Sequence, residues 1–317
     1  MTTTEMQMTT SRGEDGIPVD CMHEESNHAV QAVQAFADYM EQDCPPPPES
    51  WQRKECCGTS RYLYCPNCYR LLVPKMDWPT AVQDGSCQLP FQLDILLEDN
   101  KAIATGVHVK CLLDAAWEMH NNQQQDDSEA ISESNVKIFN SETRGLDAPP
   151  NESNSYPDGT YMLFPGPDSI PLSQLLQDDT VSVRKLVVLD CKWTRSSARL
   201  HPQLASLPKV SLCQPQIQSY FWRWHNEGAG MLCTVEAIYF AAWQITARMG
   251  WTLQERKARL LSLLWIFRYQ RSLIQRKHAN NQVQSVNPYP PYTEQAKEFA
   301  RELRRKQKRG PVTKHKL

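Results

Sequence analysis

The sequence predicts an α/β domain built on a largely parallel sheet, with helices on both faces. Short apolar stretches bounded by turn residues alternate with longer stretches whose apolar residues recur at helical spacing. The stretch 185–190 (KLVVLD) is typical of a strand buried on both faces, and 234–250 (TVEAIYFAAWQITARMG) is typical of a helix. Strands that alternate with helices favour parallel pairing. The 317 residues are 40 % hydrophobic and include nine tryptophans, which is enough to build such a core.

The remaining elements are predicted from the same two periodicities. A short amphipathic helix is expected over 27–43, because four prolines follow it and end it. In the 234–250 helix, Thr234 is the expected N-cap, Glu236 lies in the first turn, and Gly250 follows the last turn. We also predict strands over 89–97, 102–113 and 160–167, a short helix over 170–178, shorter strands or extended segments over 210–216 and 219–224, and a second long helix over 252–277.

Composition divides the chain into four segments. Residues 1–54 are predicted to be a mostly disordered extension that contains the first helix, and residues 55–75 form a cysteine-rich knuckle. Residues 76–278 form the main domain, which includes a polar, acidic insertion loop at 118–158, and residues 279–317 form a basic tail. The 22 prolines and the mean hydropathy of −0.57 indicate that much of the chain lies outside the core.

Charge is distributed unevenly along the chain. The formal net charge is −2, yet residues 114–155 carry nine acids against two bases, and residues 301–317 carry eight bases against one acid. Because the local sign of charge governs contact with phosphate, this composition does not exclude a nucleic-acid partner. The basic tail is interpreted as an attraction for phosphate, a nuclear-import signal, both of these, or a merely solubilising segment. We expect residence in the nucleus, with the cytoplasm as the alternative.

The N-terminal stretch (MTTTEMQMTTSRGEDG) argues against export. It lacks the apolar region of a secretory signal, and its early acids make it a poor transit peptide. No window approaches 18 consecutive apolar residues, so no membrane partner is expected. Eleven cysteines without a secretory signal indicate a reducing compartment, where thiols stay free or bind metal. Protein partners stay unknown at this level.

The cysteine-rich knuckle (CCGTSRYLYCPNC) carries the pattern of a metal site. Cys65 and Cys68 have the spacing of a chelating pair, and Cys57 would supply a third sulfur. A regular double knuckle would place the fourth cysteine at Lys54, so Cys56 is the nearest substitute. The pattern predicts a zinc site formed by these four cysteines, and the alternative is a reduced cluster without metal.

Polar residues follow predicted strands at their carboxyl ends, where parallel sheets bind ligands. The stretch 163–172 (LFPGPDSIPL) forms a stiff turn that would hold an adenosine or a carboxylate, or would be an ordinary connection. Asp190 would accept a ligand amine or act as a base, while Trp193 would stack on a ligand or simply pack. Arg195 and Arg199 share a helix face and would meet phosphates or solvent.

A further stretch, 221–240 (FWRWHNEGAGMLCTVEAIYF), interleaves aromatic residues with Arg223 and His225, which suits RNA. At least one of Phe221 and Trp222 is expected in the core instead. The N–H groups at the start of the helix that follows would bind a carboxylate. The chain lacks the glycine patterns of dinucleotide-binding and P-loop phosphate sites at its strand–helix turns, so those two classes are excluded.

The order of these motifs carries a resemblance that no single motif carries. In that order, over about 55–278, the sequence resembles the DTW-domain family, and within it a eukaryotic branch; its members are tRNA-uridine aminocarboxypropyltransferases related to SPOUT enzymes. The motifs are the knuckle, His108-x-Lys110, Phe-Pro-Gly-Pro at 164–167, Val-Leu-Asp-x-x-Trp at 188–193, Phe-Trp-Arg at 221–223, and Thr-x-Glu-Ala-Ile-Tyr at 234–239.

The resemblance implies a SPOUT-like fold with a C-terminal knot that holds S-adenosylmethionine, which serves as co-substrate. The implied reaction transfers its 3-amino-3-carboxypropyl group to N3 of a tRNA uridine, expected in the D-loop, and releases methylthioadenosine. Asp190 is then the expected base, or holds the amino group of the cofactor, and Trp193 shapes the pocket. The implied cofactor-binding residues are Phe164, Pro165, Gly166, Pro167, Leu189, Asp190, Lys192, Thr234, Glu236 and Ala237. The implied RNA-binding residues are His108, Lys110, Arg195, Arg199 and Arg223.

Two positions depart from the family pattern. Lys192 stands where the family has threonine, and Lys54 stands where the knuckle has its first cysteine. Because of Lys192, a tRNA-binding relative without catalysis is one alternative, and a SPOUT-type RNA methyltransferase is another. Asp190 and Trp193 are both present, so aminocarboxypropyl transfer is the expected activity.

Overall fold

The computed structural model describes most of the chain between residues 22 and 279. The described residues are 22–98, 100–123, 134–140, 156–166, 168–191, 204, 206–212, 219–222, 231–279, 298–299, 301–302 and 305.

A long helix and a small hairpin come first along the chain. The helix α1 spans Met22–Glu41, so it begins earlier than predicted and ends near the predicted residue. Strands β1 (Lys54–Cys56) and β2 (Thr59–Arg61) then pair antiparallel as a separate two-stranded sheet. This hairpin carries two of the four clustered cysteines of the knuckle.

The main sheet has six strands, and every described pairing in it is parallel. Its spatial order is β4-β3-β7-β5-β8-β6. The strands are β3 (Gln92–Leu97), β4 (Val136–Asn140), β5 (Thr160–Leu163), β6 (Ile170–Pro171), β7 (Lys185–Asp190) and β8 (Lys209–Ser211). The α/β class and the parallel sheet predicted from the sequence are therefore confirmed.

The helices that follow α1 connect and cover these strands. Among the described residues, none of the helices combines the length and the apolar character that crossing a bilayer requires. The helices are α2 (Thr80–Gln83), α3 (Gly106–Gln123), α4 (Leu172–Leu175), α5 (Thr234–Arg248), α6 (Leu253–Leu260) and α7 (Trp265–Ala279), with a 3₁₀ turn at Leu261–Leu264 between the last two.

Alternate residues of each strand point to opposite faces, and the two faces bury separate cores. Leu93, Ile95 and Leu97 join the larger core, to which all seven described helices contribute buried side chains. Leu96 joins a smaller core on the other face, where Leu204 packs. The apolar stretch 185–190, which forms β7, is likewise buried on both faces, as is usual for a parallel sheet.

Two sequence predictions are wrong in this region. Residues 102–113 were expected to form a strand, but they lead into α3 and form its first two turns. The buried residues Val107, Cys111, Leu112, Ala115 and Ala116 recur at helical spacing, and a window that stops at residue 113 misses this period because short apolar runs are ambiguous.

The expected insertion loop at 118–158 is the other error. The end of α3 lies within it, and β4 adds the edge strand beside β3. The segment predicted as a helix over 170–178 begins instead with the short strand β6, and Ser219–Trp222, the described part of 219–224, forms no strand. The strands at 160–163 and 185–190 and the helix at 234–248 are confirmed, whereas the single helix predicted over 252–277 is two helices, α6 and α7, joined by a 3₁₀ turn.

Helix α1 is packed into the core. The ring of Phe36 lies 5.3 Å from that of Tyr220, 5.6 Å from that of Tyr239 and 5.0 Å from that of Phe240, centroid to centroid. Backbone carbonyls just beyond the helix accept hydrogen bonds from α7, because Arg268 donates to Gln42 and Asp43 and Arg276 donates to Cys44. The guanidinium groups thereby tie the segment that follows α1 to α7.

We predict that Phe36→Ala lowers the free energy of unfolding by about 3–5 kcal/mol, because a buried ring is lost and a cavity remains. Val30→Ala on the same helix is the matched control, since Val30 is 53 % exposed, and we expect a change within about 0.5 kcal/mol. Urea unfolding followed by circular dichroism measures both. Equal effects of the two substitutions would show that α1 is not part of the cooperative core.

Candidate functional site

The topology of the main sheet indicates that a ligand would bind at the edge formed by the carboxyl ends of its strands. The chain leaves β3 through α3 on the face of the larger core and returns on one side as β4. It leaves the neighbouring β7 toward β8 on the other side, passing Leu204 on the opposite face. The connection that follows β3 and the one that follows β7 therefore run in opposite directions, which opens a crevice between these two strands. Ligands of open parallel sheets bind in such a crevice, beyond the carboxyl ends of the strands.

Asp190 is the last residue of β7 and lies at this crevice, beside Leu97 of β3. It is 5 % exposed, and its Oδ2 accepts a hydrogen bond of 2.7 Å from the backbone N–H of Gly106, the first residue of α3. The N-terminus of a helix carries unpaired N–H groups and partial positive charge, which stabilise a carboxylate.

The atoms around residue 106 leave no room for a side chain, so this position requires a glycine. A Cβ on this residue would lie 2.8 Å from Oδ2 of Asp190, 2.9 Å from Cγ2 of Ile95 and 3.3 Å from Cγ2 of Thr234. Such separations between nonbonded atoms are too short, so only glycine lets α3 begin this close to β7.

A second helix N-terminus converges on the same place. The backbone N–H of Val235, in the first turn of α5, donates to Oγ1 of Thr105, the residue before α3, over 3.2 Å. The starts of α3 and α5 are therefore tied together beside Asp190. Two positive helix ends next to the carboxyl ends of the strands form a ready place for a negatively charged ligand group.

Glu236 holds the segment that precedes α5. Its side chain is fully buried, and burial raises the pKa of its carboxyl above the ordinary value. Oε2 accepts from the hydroxyl of Ser219 at 2.6 Å and from the N–H of Cys233 at 2.8 Å, while Oε1 accepts from the N–H of Tyr220 at 2.7 Å. Cys233, and not Thr234, is the N-cap of this helix.

Tyr220 extends this support to α1 and α7. Its hydroxyl donates to Oε1 of Glu41 over 2.5 Å, and the guanidinium of Arg271 lies 4.9 Å from the centre of its ring. Burial and then the carboxylate of Glu41 raise the pKa of Tyr220 above its usual range, so the phenol stays protonated and donates. The start of α5 is thus braced from behind by two helices that are distant in sequence.

The turn after β5 lies at the same edge, because β5 is the other neighbour of β7. The N–H of Phe164 donates to Val210 over 3.0 Å, and the hydroxyl of Ser169 donates to the carbonyl of Gly166 over 2.6 Å. A Cβ on Gly166 would meet, among the described atoms, only the ring of Phe164 at 3.8 and 3.9 Å. The described protein leaves room over Gly166.

The knuckle brings four cysteines together. The sulfur atoms of Cys56, Cys57, Cys65 and Cys68 all lie within 4.8 Å of one another. Four sulfurs bound at about 2.3 Å to one tetrahedral zinc ion would be roughly 3.8 Å apart, so the cluster fits zinc. Cys57 and Gly58 have φ of 49° and 72° and form the two-residue turn of the hairpin, which lets the adjacent Cys56 and Cys57 join one cluster.

The electrostatics of Cys65 suit a metal ligand. Burial opposes ionisation of this thiol, but the backbone N–H groups of Cys68 and Asn67 donate to its sulfur and lower its pKa to about 7. The thiolate, which is the ligand form, is therefore accessible near neutral pH.

Comparison with protein families identifies the chain. The family model described as "DTW domain" matches residues 62–272, about two thirds of the 317 residues. The chain belongs to the DTW-domain family. The match decides the family and not a branch within it, and no curated protein and no solved structure matched the chain. DTW-domain proteins act on tRNA as modifying transferases, so tRNA processing is the class of function to which this chain belongs.

The residues predicted for the site of this DTW protein fall into three groups. Asp190, Leu189, Phe164, Pro165, Gly166, Thr234 and Ala237 lie at the carboxyl edge or at the start of α5, whereas Glu236 is turned to the backbone behind that edge. Outside the described residues lie Pro167, Lys192, Trp193, Arg195, Arg199 and Arg223.

The third group, His108 and Lys110, lies in helix α3 and not in the predicted strand. His108 was expected to meet RNA, but it is fully buried in α3, where its Nε2 lies 3.1 Å from the hydroxyl of Tyr64. Burial lowers the pKa of His108 to about 3, so the ring is neutral and contributes no positive charge. Lys110 is paired with Asp114 at 2.7 Å and its side chain is 17 % exposed. The error on His108 follows from taking 102–113 as a strand, and contact of Lys110 with RNA stays a prediction.

Sequence reasoning missed Thr105, Gly106 and Tyr220. The one available signal was Gly106 itself, since a glycine inside an apolar run often marks a helix start or a close backbone approach. Nothing in the sequence links Tyr220 to Glu41, which precedes it by 179 residues.

We predict that Gly106→Ala lowers the free energy of unfolding by about 1–3 kcal/mol, because the added methyl group overpacks the contact with Asp190 and Ile95. Gly166→Ala is the control for removing a glycine at the same edge, and we expect it to stay within about 0.5 kcal/mol of the wild type. Chemical denaturation measures both. A fully tolerated Gly106→Ala would contradict the close approach described above.

Proposed function

We propose that this DTW protein transfers the 3-amino-3-carboxypropyl group of S-adenosylmethionine to N3 of a uridine in tRNA, in the D-loop, and releases methylthioadenosine. The observation that carries the proposal is the convergence of two helix N-termini and the carboxylate of Asp190 at the topological switch point. The transferred group bears an α-carboxylate and an α-ammonium, and this edge offers a charge of the opposite sign for each.

The chemistry is a substitution at carbon. The weakly acidic N3–H of uridine passes its proton to solvent water, and N3 attacks the γ-carbon of the methionine portion. The bond between that carbon and the sulfonium sulfur breaks, and its electron pair leaves with methylthioadenosine. The task of the protein is to orient the two substrates and to hold the groups that do not react.

Asp190 is assigned to the α-ammonium. A carboxylate that accepts a hydrogen bond from a helix N-terminus is suited to a lasting electrostatic role, because the helix stabilises its charge. The first turn of α5, with the partly exposed Thr234 and Ala237, is assigned to the α-carboxylate. The turn at Phe164–Gly166 is assigned to the adenosine, since its backbone is accessible there.

Zinc is assigned to the cysteine cluster as a structural ion. Four sulfur ligands close the coordination sphere, which leaves no position for a substrate. The knuckle carries Leu63 and Tyr64 into the larger core, so the ion would stabilise the fold next to α3. We propose residence in the nucleus on the basic composition of residues 301–317.

The reaction is tested by mass spectrometry of nucleosides from unmodified tRNA incubated with the protein and S-adenosylmethionine. We expect a uridine heavier by about 101 Da, the mass of the transferred group less that of the hydrogen it replaces. Asp190→Asn keeps the size of the side chain and removes its charge, and we expect product formation to fall by at least 100-fold, roughly the loss of 2.7 kcal/mol.

The small-molecule product distinguishes the alternatives. Methylthioadenosine supports the proposed transfer, whereas S-adenosylhomocysteine would show a methyltransferase. Binding of tRNA by a folded protein without either product would show a relative that lacks catalysis, and Lys192→Thr would then be the informative variant.

We predict that Gly166→Ala, whose fold should be unchanged, raises the KM for S-adenosylmethionine about tenfold, because its methyl group occupies space reserved for the ligand. The kcat at saturating cofactor should change less than the KM. Steady-state kinetics with tRNA held in excess measure both constants. An unchanged KM would remove the Phe164–Gly166 turn from the binding site.

We predict that Cys68→Ser lowers the zinc content from one ion per chain to well below that, and that a strong chelator lowers the thermal midpoint of the wild type, because metal binding contributes to folding. Cys44→Ser is the control, since Cys44 lies outside the cluster. Atomic spectroscopy gives the zinc content and calorimetry gives the midpoint. Equal zinc in all three proteins would refute the assignment.

A further inference from the structure

The hairpin β1–β2 and the knuckle around it are strongly basic. Residues 51–75 contain five basic residues and one acid, within a chain whose formal net charge is −2. Arg53, Lys54 and Arg70 are exposed, and Arg61 is partly exposed. Positive charge is thus concentrated on a small surface that none of the assignments above uses.

The register of the hairpin sets two positive charges side by side. Lys54 and Arg61 are directly opposite each other on β1 and β2. Like charges in such a pair destabilise a sheet, and an isolated two-stranded sheet has little stability to spare. Because this pairing does not stabilise the fold by itself, we expect an anion to lie against both basic side chains.

No described acid supplies that anion. Among the described residues, the recorded ion pairs join Lys110 to Asp114, Lys185 to Asp94 and Arg248 to Asp179, and none involves the hairpin. The recorded partners of Arg53 are the hydroxyl and the carbonyl oxygen of Ser60, and that of Arg61 is the hydroxyl of Thr59, all neutral groups.

The basic surface borders the candidate site. The ring of Tyr69 in the knuckle has the ammonium groups of Lys101 and Lys110 each 5.7 Å from its centre, and Lys101 belongs to the connection from β3 to α3. Tyr64 contacts His108, two residues after Gly106 in α3. A polyanion that lies along the hairpin therefore continues toward the edge that carries Asp190.

We propose that β1–β2 is a docking surface for the phosphodiester backbone of tRNA, with Lys54 and Arg61 as a paired phosphate contact flanked by Arg53 and Arg70. This inference rests on the proposed function, since it takes tRNA as the substrate. Strands of three residues span about 10 Å, so the surface reads charge and shape over a few nucleotides and not sequence.

A competing explanation comes from the metal site. Side chains alternate along a strand, so Lys54 lies on the same face of β1 as Cys56. Four thiolates around Zn²⁺ carry a net charge of −2, and nearby basic groups would offset it. On that explanation the pair serves the ion, and its removal would release zinc before it affected RNA.

The test uses the full chain with the double substitution Lys54→Gln and Arg61→Gln, which removes both charges and keeps polar side chains. Affinity for unmodified tRNA is measured by fluorescence anisotropy across a range of salt concentrations, zinc by atomic spectroscopy, and S-adenosylmethionine binding by calorimetry. Lys209→Gln is the matched control, because Lys209 begins β8 in the six-stranded sheet and lies outside the β1–β2 hairpin.

We expect the double variant to bind tRNA at least tenfold more weakly than the wild type at moderate salt. The slope of log affinity against log salt should fall by about one to two, one for each lost phosphate contact. Zinc content and S-adenosylmethionine binding should be unchanged, and Lys209→Gln should match the wild type throughout.

Three results would overturn the inference. If the wild type modifies tRNA and the double variant shows the same tRNA affinity and salt slope, the docking surface is refuted while the proposed function stands. A loss of zinc in the double variant would assign the two charges to the metal. A wild-type protein that binds S-adenosylmethionine but no tRNA would overturn the proposed function, and the inference with it.

Discussion

The hydrogen bond from the N–H of Gly106 to the carboxylate of Asp190 is the contact on which the arrangement of the site depends. It joins the end of β7 to the start of α3, and it requires a glycine because any side chain would collide with Asp190 and Ile95. Through Thr105, which accepts a hydrogen bond from Val235, the start of α5 is tied to the start of α3 beside this acidic group. A charge held in this way is oriented before a ligand arrives, which lowers the cost of binding.

Two supports outside the sheet keep these helix starts in position. From one side, α1 and α7 fix Tyr220 through Glu41 and Arg271, and Glu236 passes this support to the first turn of α5. From the other side, the cysteine knuckle packs Tyr64 against His108 in α3. The helix α1 precedes the residues that match the DTW-domain family, so this support comes from outside the matched segment.

Local patterns in the sequence predicted the elements that carry strong periodicity or a buried run. The strand ending at Asp190 was recognised from its continuous apolar run, and the helix beginning at Thr234 from its length and its expected first-turn and end residues. Helix α3 was not, since its first residues alternate like a strand and the helical period becomes clear only through Ala115 and Ala116. The error displaced His108 to a surface, although it is fully buried. Contacts such as those of Glu41 with Tyr220 depend on the tertiary fold, and no local pattern encodes them.

The most direct test of the central claim is a crystal structure of the protein with S-adenosylmethionine bound. The account predicts that the methionine portion lies beyond the carboxyl ends of β5 and β7, with its ammonium within hydrogen-bonding distance of Asp190 and its carboxylate at the first turn of α5. A cofactor at the amino ends of the strands, or on the far side of α5, would contradict the account and leave Asp190 as a structural cap of α3.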